Sequence, residues 1–180
     1  MNYLIIVNGL PATGKTTLST KLAESLKVPI FRKDDIKEKI ADRLSNLTTD
    51  DSYRLGLISR MMLSYLAEKL RDDMTYIIDS NFSPGQETDS FVKEVKGLRV
   101  IEIFLKAEGE ILFKRFANRT KERHPIHLEH HLDVSNFEKT ITEGLLEPLN
   151  LGVMIEVDTT NFNSVNYDKI IDEVKSLLAE

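Results

Sequence analysis

Residues 9–16, Gly9-Leu10-Pro11-Ala12-Thr13-Gly14-Lys15-Thr16, with Thr17 directly behind them, fit the pattern G-x-x-x-x-G-K-[ST]. An apolar run from Tyr3 to Val7 precedes the motif and a stripe of Leu18, Leu22 and Leu26 follows it, so it falls on a predicted strand-to-helix turn. Gly9 and Gly14 free the backbone to turn, aiming successive N–H groups into one concavity at the positive end of the following helix dipole. Anionic phosphates fit there. Gly9 through Thr17 are therefore expected to cradle a nucleoside triphosphate. Lys15 reaches its β- and γ-phosphates as a point charge, and the Thr16 hydroxyl ligates a bridging Mg²⁺.

Working outward, strand-length apolar runs recur at Val28 to Phe31, Tyr76 to Ile78, Val100 to Leu105 and Val153 to Val157, with helical patterns between them. These runs are nearly continuous in Ile, Val, Leu and Phe, as strands covered on both faces must be, which predicts an α/β chain with five parallel strands. Core stripes are expected at Leu55, Ile58, Met62, Leu66 and Leu70, and at Ile170, Val174, Leu177 and Leu178. With 180 residues and no linker-like stretch, residues 1–180 read as a single domain, with residues 110–135 as a lid within it. The absence of cysteine excludes thiol chemistry and thiolate metal sites, and suits a reducing compartment. A net charge of −5 disfavours coating a long nucleic acid, and no early apolar run reaches signal-peptide or membrane-span length. A cytoplasmic protein without a membrane partner is expected.

The second predicted strand leads into Phe31-Arg32-Lys33-Asp34-Asp35. Strand ends of an open α/β sheet face the ligand crevice, so a carboxylate here is placed to accept the proton of an attacking hydroxyl. Asp34 is the expected general base. Either aspartate could instead cap the helix that follows, and one Asp could serve each purpose. The third predicted strand ends in Asp79, followed by Ser80 and Asn81. Asp79 is expected to hold Mg²⁺ together with Thr16, and Ser80 and Asn81 to hydrogen-bond the acceptor.

Lys114, Arg115, Arg119, Lys121 and Arg123 stand against Glu122 alone. On a helix, Arg115, Arg119 and Arg123 recur at i, i+4 and i+8 as one face, with Leu112 and Phe116 on an apolar one. Arg119 and Arg123 are expected to close over the phosphates and neutralise charge on the transferring group; a solvated basic face is the alternative. His124, His127, His130 and His131 could be read as a zinc site, but with Arg123-His124-Pro125 following the basic helix, the end of a lid and an anion contact is the preferred reading.

The combination GLPATGKTT, RKDDIKEK, YIIDSNFSP, an Arg-rich helix and a final IEVDTTN strand resembles the small P-loop kinases grouped with polynucleotide 5′-hydroxyl kinase and zeta-toxin-like phosphotransferases. The resemblance spans nearly the whole chain. It implies a P-loop NTPase three-layer sandwich with a five-stranded parallel sheet in the order 2-3-1-4-5 and a small helical lid. It also implies that Asp34 activates the hydroxyl and that Lys37 helps hold the substrate, beside Asp35, Ser80 and Asn81. The chain departs from the pattern at Ala12, where such loops often have Gly, and at Lys37, where Arg is usual in polynucleotide kinases. Leu132, Ser135 and Phe137 are similar to the stretch after the lid in gluconate-kinase-like enzymes, which keeps a sugar acid among the acceptors. In related kinases the loop after Asp158-Thr159-Thr160-Asn161 brings backbone against the adenine ring.

The expected activity is transfer of the γ-phosphate of ATP·Mg²⁺ to a hydroxyl of a small molecule, or of a nucleotide or short nucleic-acid end, with Lys15, Asp34, Arg119 and Arg123 as the catalytic set. The acceptor pocket is to be built from side chains such as Arg54, Arg60 and Asn81. An ATP-binding or ATP-hydrolysing regulatory switch without a small-molecule acceptor is the alternative.

Overall fold

A strand covered on both faces has no polar side, and in the computed structural model every residue of β1 (Leu4–Gly9) is buried. The structure describes residues 2–71, 74–82, 85–119, 123–127 and 147–180. Among these, β1 is followed by α1 (Lys15–Leu26), β2 (Ile30–Arg32), α2 (Lys33–Ala41), α3 (Thr49–Leu70), β3 (Tyr76–Asp79), α4 (Gln86–Glu94), β4 (Val100–Lys106), α5 (Gly109–Arg119), β5 (Val153–Asp158) and α6 (Tyr167–Leu178). All five strands pair in parallel, in the expected order β2-β3-β1-β4-β5.

Side chains alternate across a strand, and β1 divides the core accordingly. Ile5 and Val7 pack with Leu18 and Leu22 of α1 and with Ile170, Ile171 and Val174 of α6. Leu4 and Ile6 face Leu63 and Ala67 of α3 and Phe91 of α4. Three layers result, each fully buried Leu, Ile or Val contributing roughly 1.5–3 kcal/mol. The register sets Val7 beside Asp79 and Arg32 beside the same aspartate, so the carboxyl ends of β1, β2 and β3 converge on one edge of the sheet. That edge is where an open α/β sheet binds ligands.

The second strand begins two residues later than the apolar run suggests, because Pro29 contributes only its carbonyl, accepting from Ile77 N–H. A larger correction concerns α3. Its buried stripe is Ser52, Leu55, Ser59, Leu63 and Ala67, whereas Ile58 is 39% and Met62 41% exposed. Small residues let α2 and α4 approach closely, and Ser59 meets its hydroxyl's need locally by donating to the Leu55 carbonyl at 2.7 Å. No described helix is long and apolar enough to cross a membrane.

Candidate active site

The turn from β1 into α1 has the backbone its sequence requires. Gly9 and Gly14 adopt φ of 145° and 90°, and a Cβ on Gly9 would lie 2.4 Å from the Leu105 carbonyl oxygen. Ala12 also takes a left-handed conformation, φ 67°, which explains why Gly is common there; its methyl packs on Leu112 and Phe116 of α5. Thr13 lies beneath the loop and donates its hydroxyl to the Leu10 carbonyl at 2.8 Å, so Gly9, Leu10 and Thr13 shape the cradle from below. Pro11, Ala12 and Gly14 through Thr17 line a cleft of about 850 Å³. The Lys15 ammonium donates to the Gly9 and Leu10 carbonyls at 2.8 and 2.9 Å. Burial pushes it down to about 8 against the pull of Asp79 and Asp34.

Asp79, at the end of β3, accepts from Ser19 Oγ at 2.7 Å and lies 3.8 Å from Arg32 Nε. Burial raises its carboxyl, while Lys15 and the Ser19 bond oppose the shift. One carboxylate with a threonine hydroxyl is a fitting protein contribution to Mg²⁺, which takes its remaining ligands from phosphates and water. Among the described residues no group of three His, Cys, Asp or Glu side chains could hold a metal by itself.

β2 runs into α2 without a loop, and Arg32 occupies the capping position without a side-chain cap bond. Asp34 and Asp35 therefore lie inside the first turn, so neither is the cap that the sequence left open. The Asp34 carboxylate, 42% exposed in the cleft, lies 2.9 Å from Arg123 and 3.4 Å from Lys33. Partial withdrawal from water would raise Asp34, but the charges of Lys33, Arg123 and Lys15 outweigh it and hold the carboxyl well below the usual range. Asp35 pairs with Arg32 at 3.3 Å, and Lys33 donates to Asn81 Oδ1 at 2.5 Å. Asn81 and the buried Ser80 both line the cleft. Lys37 is buried, lines the same cleft and donates to Ser52 Oγ at 2.8 Å, and Ser52 in turn donates to the Ile126 carbonyl at 2.7 Å.

The three arginines of the basic stretch do not share one face. Arg119 and Arg123 line the cleft, but Arg115 donates to the Thr159 and Thr160 carbonyls at 2.8 and 2.9 Å and stacks 3.6 Å from the Phe162 ring centroid. It holds the loop after β5 against the cradle, where Phe162 faces Gly14. Lys114 is exposed beside Glu110, and Lys121 lies outside the described residues. His124 lies 3.1 Å from Asp42, and His127, buried, lies 2.8 Å from Glu38. Both histidines pin residues 123–127 onto α2. Of the expected lid at 110–135, residues 120–122 and 128–135, with His130, His131, Leu132 and Ser135, fall outside the described residues, as does Phe137.

The family described as AAA domain matches residues 4–136, a span holding the cradle, Asp34, Asp79, Arg119 and Arg123. The chain belongs to that family. A candidate kinase from Chloroflexus aurantiacus is similar to this AAA-domain protein over 99% of this chain and 96% of that one, at 32% identity and a TM-score of 0.84. A gluconokinase from Sinorhizobium meliloti is 20% identical, TM-score 0.57, over 97% and 90% of the two chains. A shikimate kinase from Bacteroides thetaiotaomicron is 16% identical, TM-score 0.61, over 99% of each. These last two are likenesses of fold. No curated protein matches the sequence. Family, fold and the candidate kinase at 32% identity align this chain with the small P-loop kinases; the polynucleotide-kinase subgroup is not singled out.

Several cleft residues escape a reading of sequence alone. Arg54 is exposed and paired with Asp50 at 2.7 Å, whereas Arg60 of the same helix lines the cleft. Six residues turn an α-helix by roughly 240°, so the two cannot share a face, and that geometry could have excluded one of the pair without saying which. Ser19 carried no motif signal, and Arg32 and Glu38, though inside RKDDIKEK, were given no role of their own, because each acts through a partner brought in from another element.

Proposed function

We propose that the protein transfers the γ-phosphoryl group of ATP to a hydroxyl of an acceptor bound in the cleft between α2, α3 and residues 123–127. The observation that carries this reading is the position of Asp34, which lines one cleft with the phosphate cradle and is fixed between Lys33 and Arg123. A residue that serves only ATP hydrolysis would need no such cleft beside it.

In this mechanism the triphosphate lies along the loop N–H groups, and Lys15 exchanges the Gly9 and Leu10 carbonyls for phosphate oxygens. Thr16 and Asp79 would hold Mg²⁺, which supplies charge neutralisation at the β- and γ-phosphates. The acceptor oxygen attacks γ-phosphorus, the bond from phosphorus to the β,γ-bridging oxygen breaks, and ADP departs. Asp34 accepts the hydroxyl proton; its low basicity suits a proton that transfers late, as the new bond forms. Arg119 and Arg123 place positive charge beside the transferring group. Asp35, Lys37, Ser80 and Asn81 bound the acceptor's side, and an ATP-rich cytoplasm is the compartment that fits.

The test follows label from γ-labelled ATP into a panel of nucleosides, 5′-hydroxyl oligonucleotides and sugar acids. Asp34→Asn is expected to lower transfer by ~10²–10⁴ with ATP binding retained, while Lys15→Ala abolishes calorimetric ATP·Mg²⁺ binding. Label appearing only as free phosphate, equally in wild type and Asp34→Asn, would overturn the reading in favour of a nucleotide-dependent switch.

A further inference from the structure

Arg60, on α3, has a job the mechanism above does not use. Its Nε is withdrawn from solvent and donates to nothing, and the residue makes no hydrogen bond or ion pair among the described residues. A guanidinium is a fork of N–H donors without an acceptor, and a buried donor left unmet is costly. Burial lowers its pKa, and Glu87, Tyr53 and Asp34 only partly offset that from a distance. The carboxylates lining the cleft are already committed, Asp34 to Arg123 and Lys33, Asp35 to Arg32, Asp79 to Ser19 and Arg32, and Glu38 to His127, and Glu87, the carboxylate that acts most strongly on Arg60, forms no ion pair with it. With Lys15, Arg119, Arg123 and Asp79 given to the triphosphate and its metal, the cleft lining keeps Arg32, Lys33, Lys37 and Arg60 against Asp34, Asp35 and Glu38, an excess of one positive charge on the acceptor's side.

The helix surface around Arg60 is shaped for a ligand. Thr49, Ser52, Tyr53, Gly56 and Arg60 line the cleft from one face of α3. Glycine weakens the interior of a 22-residue helix, and at Gly56 no backbone conformation or close packing demands it, since a methyl there would meet nothing within 4 Å. The open space therefore lies on the route from the hydroxyls of α3 to the Arg60 guanidinium.

We propose that the acceptor carries an anionic oxygen group, phosphate or carboxylate, remote from its reacting hydroxyl, and that Arg60 receives that group across the space above Gly56. The proposal rests on the kinase reading for the word acceptor, but the anion site stands on its own geometry. Recognition by a forked guanidinium selects against neutral polyols and unphosphorylated nucleosides.

The experiment separates the two. Protein saturated with a non-hydrolysable ATP analogue and Mg²⁺, so that the cradle is filled, is titrated with inorganic phosphate and, separately, with acetate, followed by NMR. A saturable second anion site is expected, weakened about tenfold to a hundredfold in Arg60→Gln. Arg60→Lys should keep part of the affinity, since it retains the charge but not the fork. Tighter phosphate identifies a phosphate ester and tighter acetate a carboxylic acid. A missing second site, or one that Arg60→Gln binds as wild type does, overturns the proposal. Transfer from labelled ATP is then run on matched pairs, a nucleoside with its 3′-monophosphate and a sugar with its sugar acid. The anionic member should be the better substrate, with a KM raised in Arg60→Gln. Preference for the neutral member sinks the anion site while the kinase reading survives. An intact, Arg60-dependent anion site without labelled product sinks the kinase reading alone.

Discussion

His127 shows how one buried side chain ties pH to stability. Only 3% of the residue is exposed, and its Nε2 lies 2.8 Å from Glu38 Oε1. That separation would suit an ion pair, yet burial, with Arg123, Lys37 and Lys33, pushes the imidazole from an ordinary 6.5 down to about 3, against the pull of Asp34. The ring is therefore neutral at pH 7, and the tautomer with its proton on Nε2 donates to the Glu38 carboxylate. The unfolded chain takes up the proton near pH 6.5 and the folded one does not, so stability is fully present above 6.5 and is lost as pH falls towards 3. The loss is on the order of 2 kcal/mol by pH 4.5. Chemical denaturation at pH 7, 5.5 and 4.5 should show His127→Gln with a flatter decline than wild type. Parallel declines would mean that the folded imidazole takes the proton and the contact is an ion pair.

At the scale of elements, α3 carries both fold and site. Its start is secured by Thr48, which accepts from Asp51 N–H while the Asp51 carboxylate accepts from Thr48 N–H at 2.8 Å. Its interior holds Gly56, with room for a methyl, so Gly56→Ala should stabilise the protein by about 0.5–1 kcal/mol and raise Tm by a few degrees. The same methyl enters the cleft, so acceptor-dependent kcat/KM should fall as Tm rises. A Tm that rises with kcat/KM unchanged would place the acceptor elsewhere. The buried stripe of this helix was hard to read because Ser52, Ser59 and Ala67 face the core while Ile58 and Met62 do not. Apolarity marks what can be buried, but the close approach of neighbouring helices decides which side is. In α5, likewise, a spacing of four residues advances about 40° around the helix at each step, enough for Arg115 to leave the cleft that Arg119 lines.

Across the whole molecule, Glu102 joins segments far apart in the chain. It lies fully buried in β4, accepting from Asn8 Nδ2 at 3.1 Å and from the backbone N–H groups of Leu149 and Asn150 at 2.8 and 2.9 Å. Asn8 Oδ1 in turn accepts from the N–H groups of Gly9 and Phe82, so the network reaches the first residue of the cradle. Glu102→Gln turns one acceptor into a donor facing another donor. It should cost about 1–3 kcal/mol in chemical denaturation and weaken nucleotide binding. A variant as stable as wild type would show that the carboxylate is not needed to hold this junction.

By itself the sequence determined the layered parallel fold, the strand-to-helix cradle and the carboxylates at the ends of β2 and β3, because each depends on local periodicity, glycine freedom or residue spacing. That Lys15, Asp34 and Asp79 would meet at one cleft was legible for that reason, and Arg119 and Arg123 line the same cleft although the helix face that suggested them does not hold together. Only the tertiary structure decided the partners: that Asp34 lies between Lys33 and Arg123, that Arg115 serves the loop after β5, that Glu102 anchors the cradle, and that Arg60 points into the cleft without one. Long polar side chains reach several ångströms in any direction. Which neighbour they find depends on how whole elements pack, and sequence spacing carries no record of that.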